Sequence, residues 1–430
     1  MTRRPAHDAS PAPAPAGPPG FAQPEPGPDP TVFVVRHPTD ADVYKQIAEL
    51  NREHKLRPLP FPAPRGGAEP RLTYADLLGA SGSGAEQVIA QSGQIVIHAV
   101  GDTGNTRGPT PQNLVADKMI GDFTDADRSG RPMMLLHLGD VIYNFGEAAY
   151  YYDQFYDPYR AYPAPIVALA GNHDGMVAPG VTTPSLEAYL ANFCAEGFHI
   201  APEAGGLLRT AQVQPGVFFT LELPFLRVLV LYSNTLEDPG VISSEGGAWP
   251  EIGDTQLDFL RAALQRAKSE QYAGALVLAH HHPAYTAGSK HGWSPTLTAE
   301  VDAVCDAVGL RPHAVLSAHA HNYQRFTRTH GATQIPYLVA GGGGHGLARL
   351  GTVGQPTLRT PAVVQPASAT TDEVRLENYD DQNYGYLRLV ATATQLRIEY
   401  HPAGDGTVAK TPDDSVTVDL ASRQFVHFTG

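Results

Sequence analysis

The chain has 430 residues, 42% of them hydrophobic, which is enough for a large core in one big domain or two. Its 30 basic and 44 acidic residues leave a net charge of −14 with histidine neutral, which argues against the basic surface of a nucleic-acid binder. Two isolated cysteines, Cys194 and Cys305, leave one disulfide open but cannot build a thiolate metal site.

Residues 1–30 hold ten prolines and lack the apolar segment of a secretory leader. A disordered Pro/Ala-rich tail is expected there, on a protein located in the cytoplasm. Thr31–Arg36 (TVFVVR) reads as a strand, and Asp40–His54 as an amphipathic helix with Val43, Ile47 and Leu50 at helical spacing. A Pro/Gly-rich link from Pro58 to Pro70 follows, so residues 31–93 are expected to form an N-terminal extension to a main domain over 94–430. From Gln94 short apolar runs recur at 95–100, 133–138, 165–170, 228–233, 275–280, 314–319 and 337–342. Continuous runs of this length are expected of strands buried on both faces. Between them, Asp254–Lys268 carries Leu257, Leu260 and Leu264 on one face, with Asp254 as its N-cap, and Thr298–Val308 is a second helix. Residues 385–401 alternate with period two around a turn, as a hairpin does. The pattern is that of an α/β or α+β sandwich with sheets inside and helices outside. No run approaches the ~18 apolar residues of a membrane span, so no membrane partner is expected.

Several apolar runs end in polar clusters, on the loops where layered α/β proteins build their sites. In order these are GDTGN (101–105), GDVIY (139–143), GNHD (171–174), HHHP (280–283) and AHAHNYQR (318–325). Asp102 and Asp140 are carboxylates beside glycine, Asn172 offers an amide oxygen, and His281, His319 and His321 offer imidazole nitrogens. Tyr143 offers a phenol, a poor ligand unless a strongly Lewis-acidic ion such as ferric iron deprotonates it. Oxygen and nitrogen donors without thiolate suit iron, zinc or manganese. Seven donors with one bridging carboxylate suffice for two adjacent ions, a known device for phosphoryl transfer when about 3.5–4 Å apart. Each block alone is weak, since Gly-Asp after a strand is commonly a turn and His-x-His commonly two unrelated side chains on opposite faces. Their order and combination carry the reading.

That ordered set resembles the calcineurin-like metallophosphoesterases and, within them, the purple acid phosphatases, whose mark is the tyrosine three residues after the second aspartate. The resemblance covers roughly residues 94–401. It implies a four-layer sandwich of two mixed β-sheets flanked by helices, with 94–430 as the catalytic domain. It further implies that Asp102, Asp140, Tyr143 and His321 hold a ferric ion, while Asp140, Asn172, His281 and His319 hold a second, divalent iron, zinc or manganese. His173 would lie near the substrate phosphate and His291 would be the other active-site histidine, protonating the leaving group. The implied activity is hydrolysis of small phosphate monoesters by a metal-activated hydroxide. A phosphodiesterase or nucleotide hydrolase on the same core is the alternative. A non-enzymatic phospho-ligand binding module would be expected to lack donors, yet every position is filled. Ala318 stands where the family has glycine. The run His280–His282 leaves the ligand open; the family's placement two residues before proline points to His281.

Other residues receive plainer readings. His98 and His137 fit hydrogen-bonded core positions. Gly341–Gly346 lacks the Lys-Ser/Thr of a phosphate loop and reads as a tight turn near the site, with His345 beside it. Lys290 and Arg325 are open between phosphate contact and surface charge, and Trp293 between a substrate wall and packing.

Overall fold

A strand buried on both faces must be apolar at every position, and the apolar runs become strands for that reason. The structure, a computed structural model, describes residues 25–26, 33–34, 41–124, 128–288, 290–350, 358–364, 372–404 and 412–429. In chain order, β1 (Glu25–Pro26) pairs with β2 (Phe33–Val34), and α1 (Ala41–Arg52), β3 (Arg71–Thr73), α2 (Tyr74–Leu78) and α3 (Gly82–Ser92) lead to β4 (Gln94–Val100). Then come α4 (Thr110–Gly121), β5 (Leu135–His137), β6 (Ile166–Ala168), α5 (Asn172–Gly175), α6 (Glu187–Phe193), β7 (Phe219–Leu223) and β8 (Leu226–Val230). The middle of the chain adds α7 (Thr255–Ser269), β9 (Ala275–Ala279), α8 (Pro295–Val308), β10 (Ala314–Ser317), β11 (Tyr323–His330) and β12 (Thr333–Ala340). It closes with β13 (Ala362–Val364), β14 (Glu373–Asp380), β15 (Gly385–Thr392), β16 (Gln395–Pro402) and β17 (Asp414–Asp419).

Two mixed sheets result, as expected. The larger runs β13-β14-β11-β12-β10-β9-β8-β7-β3 and the smaller β17-β16-β15-β4-β5-β6. Alternate residues of one strand serve different layers. On β9, Ala275, Val277 and Ala279 join a core shared with Ile95, Ile97 and Ala99 of β4 in the other sheet. Leu276 and Leu278 instead meet Leu260 and Leu264 of α7 and Val301 and Val304 of α8 in a second core. The hairpin expected over 385–401 is β15–β16.

Two local expectations change, at Asp254 and at the cysteines, and two others fall mostly outside the described residues. Asp254 stands at the N-cap of α7 but makes no capping bond; its Oδ1 accepts instead from the Ser244 amide at 2.9 Å. Of Thr31–Arg36 only Phe33–Val34 is described, and the tail over 1–30 lies outside the described residues apart from Glu25–Pro26. Both cysteines are free and buried, which closes the disulfide option. Residues ahead of Gln94 also contribute to the layers. β3 pairs parallel to β7 at the sheet edge, and Tyr74, Leu77 and Ile89 of α2 and α3 enter the core between the sheets. Among the described residues no helix is long and apolar enough to cross a membrane.

On the outer strands of the smaller sheet, Glu399 accepts from Arg397 Nε at 2.6 Å and Arg388 Nη1 at 3.0 Å, with His401 Nε2 at 3.2 Å. Burial alone would raise this carboxyl, but these partners outweigh it and hold it at about 2. A depressed carboxyl stabilises the fold above the ordinary glutamate range, about 4.3, and that stability is lost as pH falls from there towards the folded value. Glu399→Gln should therefore cost about 1–3 kcal/mol at neutral pH. Denaturant unfolding at pH 7 and pH 3 checks this: the gap between wild type and variant should shrink at the lower pH.

Candidate metal centre

Strands β4, β5 and β6 run parallel in the smaller sheet, and β9, β10 and β12 run parallel in the larger. The polar blocks leave the carboxyl ends of these strands, where α/β folds place their ligands. Hydrogen bonds between the sheets fix the two sets of loops together. Gly101 N donates to Ala340 O at 2.9 Å, His319 N to Asp102 Oδ2 at 2.7 Å, and His281 Nδ1 to Leu138 O at 2.8 Å.

The seven expected donors come from both sheets, and all are buried. Asp140, His281 and His319 bring one ligand atom each within 4.8 Å of one another, and so do Asp102, Asp140 and His321, with Asp140 common to both groups. The Tyr143 phenol points into the second group. Its oxygen lies 3.0 Å from Asp102 Oδ1, 2.9 Å from Asp140 Oδ2 and 3.2 Å from His321 Nε2. Asn172, at the start of α5, is fully buried with neither side-chain polar atom hydrogen-bonded. The same is true of both imidazole nitrogens of His319 and of His281 Nε2. Buried polar atoms are ordinarily paired, so a cluster of orphans among carboxylates fits a cation.

Charge leads to the same conclusion. Burial opposes ionisation of Asp140, but His281 and His173 hold its carboxyl well below the usual range. Burial pushes Asp102 well above it, and the charge of Asp140 adds to that. Against burial, Asp140 and Asp102 raise His281 to about 9, the response of an imidazole to carboxylate charge short of a counter-ion. Burial, then Asp102 and Asp140, keep the Tyr143 phenol well above its ordinary value. Only a strongly Lewis-acidic ion would make it a phenolate.

The backbone bends sharply to deliver these groups. Asp102, Asp140, His319 and His321 have φ of 55°, 54°, 66° and 48°, the left-handed region that side-chain-bearing residues avoid. Strain of this kind gathers at functional sites and persists because the surroundings over-determine it. Asp174 supplies part of that restraint by accepting from the amides of Gly171 at 2.8 Å, Val141 at 3.0 Å and Ile142 at 3.1 Å. Gly171 is needed for space, since a Cβ there would collide with Asp140 Oδ1.

Of the three consecutive histidines, only His281 joins the metal-ligand groups. With Nδ1 bound to a carbonyl, its Nε2 faces Asp140 Oδ2 at 3.2 Å. His282 has both nitrogens engaged, with Ser233 Oγ at 2.7 Å and Leu236 O at 2.8 Å, and His280 Nδ1 binds His282 O at 2.6 Å. His173 Nδ1 donates to Asn144 O at 2.8 Å, leaving Nε2 towards a cavity of about 290 Å³. His291 lines that cavity with Nε2 unpartnered, its ring 4.8 Å from His319 and 4.4 Å from His321.

The plainer readings sort themselves here as well. His98 binds Asp122 and Tyr162 in the core, and His137 binds Thr103 Oγ1 at 2.8 Å behind the metal loops. Arg325 forms a two-pronged pair with Asp414, and Trp293 packs near Tyr285. Lys290 does border the cavity, and His345 stacks on Tyr143 at 3.8 Å with its amide bound to Asp102 O at 2.8 Å.

A family model described as calcineurin-like phosphoesterase matches residues 95–323, a span that contains all seven donors. The chain belongs to this family. Phosphoric ester hydrolysis at a two-metal centre is the chemistry that membership brings. No curated protein matches this phosphoesterase. Among solved structures it is similar to GAP50, the inner-membrane-complex anchor of Plasmodium, at 11% identity over 74% of this chain and 88% of that one, with a TM-score of 0.47. It is also similar to PhoD (14% identity, 78% and 72% covered, TM-score 0.46) and to a dimetal phosphatase from Danio rerio (10%, 76% and 99%, 0.43).

Sequence reasoning about this phosphoesterase missed Tyr44, Glu237 and Asp238, which line the cavity beside the histidines. None lies in a motif, and Tyr44 sits in the N-terminal extension. The anchoring role of Asp174 was within reach, because it closes the GNHD block.

Gly171→Ala should force the Asp140 loop aside. The expected outcome is loss of most bound metal by elemental analysis together with a lower melting temperature. Gly84→Ala on α3, where a Cβ meets nothing within 4 Å, should keep the metal and gain about 0.5–1 kcal/mol.

Proposed function

We propose that this phosphoesterase hydrolyses phosphate monoesters with a purple-acid-phosphatase type of centre. The observation that carries the reading is the Tyr143 oxygen, within 3.2 Å of a ligand atom from each of Asp102, Asp140 and His321. In this reading Asp102, Asp140, Tyr143 and His321 hold a ferric ion. Asp140, Asn172, His281 and His319 hold a divalent iron, zinc or manganese. Bound there, such a pair supplies Lewis-acid neutralisation of phosphoryl charge and a hydroxide nucleophile near neutral pH. Residues 94–430 carry every residue assigned so far, with the extension 31–93 beside them.

The protein's own groups do the rest. Leu138 O and Gly346 O, at 2.8 Å and 3.2 Å from the Nδ1 atoms of His281 and His321, fix the tautomers that leave Nε2 free to ligate. The Asn144 carbonyl accepts from His173 Nδ1 and so orients the ring with Nε2 towards the cavity, where it faces the phosphoryl oxygens. Burial, then His319 and Lys290, lowers the pKa of His291 well below its usual value. A bound phosphate dianion is the charge that would hold a proton on it. From Nε2 that proton can pass to the leaving alkoxide, a step worth about 10²–10⁴-fold.

Elemental analysis of purified protein should find iron and a second metal, with a visible tyrosinate-to-iron band. Tyr143→Phe should abolish the band; colour that persists in the variant removes the tyrosine from the iron site. Asp140→Asn should lose metal and activity together. His291→Ala should slow esters of poor leaving groups by about 10²-fold or more while sparing activated aryl esters. Equal effects on both would exclude the acid role.

A further inference from the structure

The cavity above the donors has a roof from outside the family match. Helix α1 contributes Tyr44, Ala48 and Asn51 to its lining. The helix is seated by Ile47, which packs with Phe145, Met176 and Ala178. Phe145 lies two residues after Tyr143, and Met176 two residues after Asp174, so the roof is registered on the metal loops themselves.

Tyr44 is tightly placed. Its hydroxyl donates to Glu237 Oε1 at 2.6 Å and sits 3.5 Å from His173 Nε2, and its ring centroid is 5.3 Å from that of His173. Glu237 belongs to the loop after β8, as does Asp238, whose Oδ1 accepts from Gly292 N at 2.6 Å and lies 3.4 Å from His319 Nε2. One wall of the cavity therefore presents two carboxylates and a phenol next to the place proposed for phosphate. Lys290 is the cation on the rim. At about 290 Å³ the space is at the small end of ligand pockets, roughly 300–1,000 Å³.

We propose that Tyr44 and Glu237 form the leaving-group subsite, selecting monoesters of small alcohols that carry a hydrogen-bond donor, an ammonium or hydroxyl group. This rests on the phosphomonoesterase reading above. Carboxylates attract a donor and repel a second anionic group, so polyphosphates are disfavoured by charge, and diesters, whose second ester arm adds bulk, by size. Glu237 acts directly on the leaving group. Tyr44 holds the Glu237 carboxylate in place and closes the roof.

The test uses the full chain loaded with iron and zinc. Calorimetry gives the affinities of inorganic phosphate, 2-aminoethylphosphonate and phenylphosphonate, none of which is hydrolysed. Kinetics compare ethanolamine phosphate, naphthyl phosphate and bis(p-nitrophenyl) phosphate. Wild type should bind the aminoethyl ligand about tenfold or more tighter than the phenyl one and prefer the ethanolamine ester in kcat/KM. Tyr44→Ala should erase both preferences, chiefly through KM. Tyr44→Phe, which keeps the ring, should still exclude the phenyl ligand while weakening the aminoethyl ligand severalfold. Glu237→Gln should weaken the aminoethyl ligand about tenfold and leave inorganic phosphate within about threefold. If turnover of monoesters is present but these ratios do not move in any variant, the subsite assignment falls and the phosphomonoesterase reading stands. If the loaded wild type turns over the diester and neither monoester, or none of the three, both fall.

Discussion

Everything in this protein is arranged around two carboxylates that cannot share a dry interior without a cation. Asp102 and Asp140 are fully buried and close enough that one phenol oxygen reaches both. Charge buried in this way is costly unless it is paired. The fold meets the cost by bringing imidazoles from the opposite sheet to within 4.8 Å and leaving His281 Nε2 and both nitrogens of His319 without hydrogen-bond partners.

The two-sheet architecture makes that convergence possible. Parallel strands of each sheet, β4, β5 and β6 in one and β8, β9, β10 and β12 in the other, end at the same edge, so loops far apart in sequence meet across the interface. The apolar core beneath is shared between the sheets and carries residues of the strands that lead into the candidate site, which ties site geometry to global packing. Left-handed backbone at four donor positions is the local consequence. A relaxed loop would not aim those side chains inward, and the glycines and Asp174 around them hold the bend. The roof of α1 adds a second level, because it is seated on residues only two positions from the metal loops. Changes there should be felt first by the substrate and only afterwards by the metals.

The sequence by itself determined the layered fold and marked the candidate donors as short polar blocks. Strands such as β9 are apolar at every position because both faces are buried, and that signal is local. The donors are legible because each sits beside a glycine or within a short block at a strand end. Contacts between distant segments were not legible. Asp254 has the identity of a cap but binds Ser244 instead, a choice made by a loop ten residues upstream. Which of His280, His281 and His282 faces Asp140 depended on Leu138, Ser233 and Leu236, whose carbonyl and hydroxyl groups fix the rings. The place of Tyr44 depended on Glu237, 193 residues away. Periodicity and motif report what a residue needs from its immediate neighbours. Orientation and lining depend on partners that only the packed chain brings near.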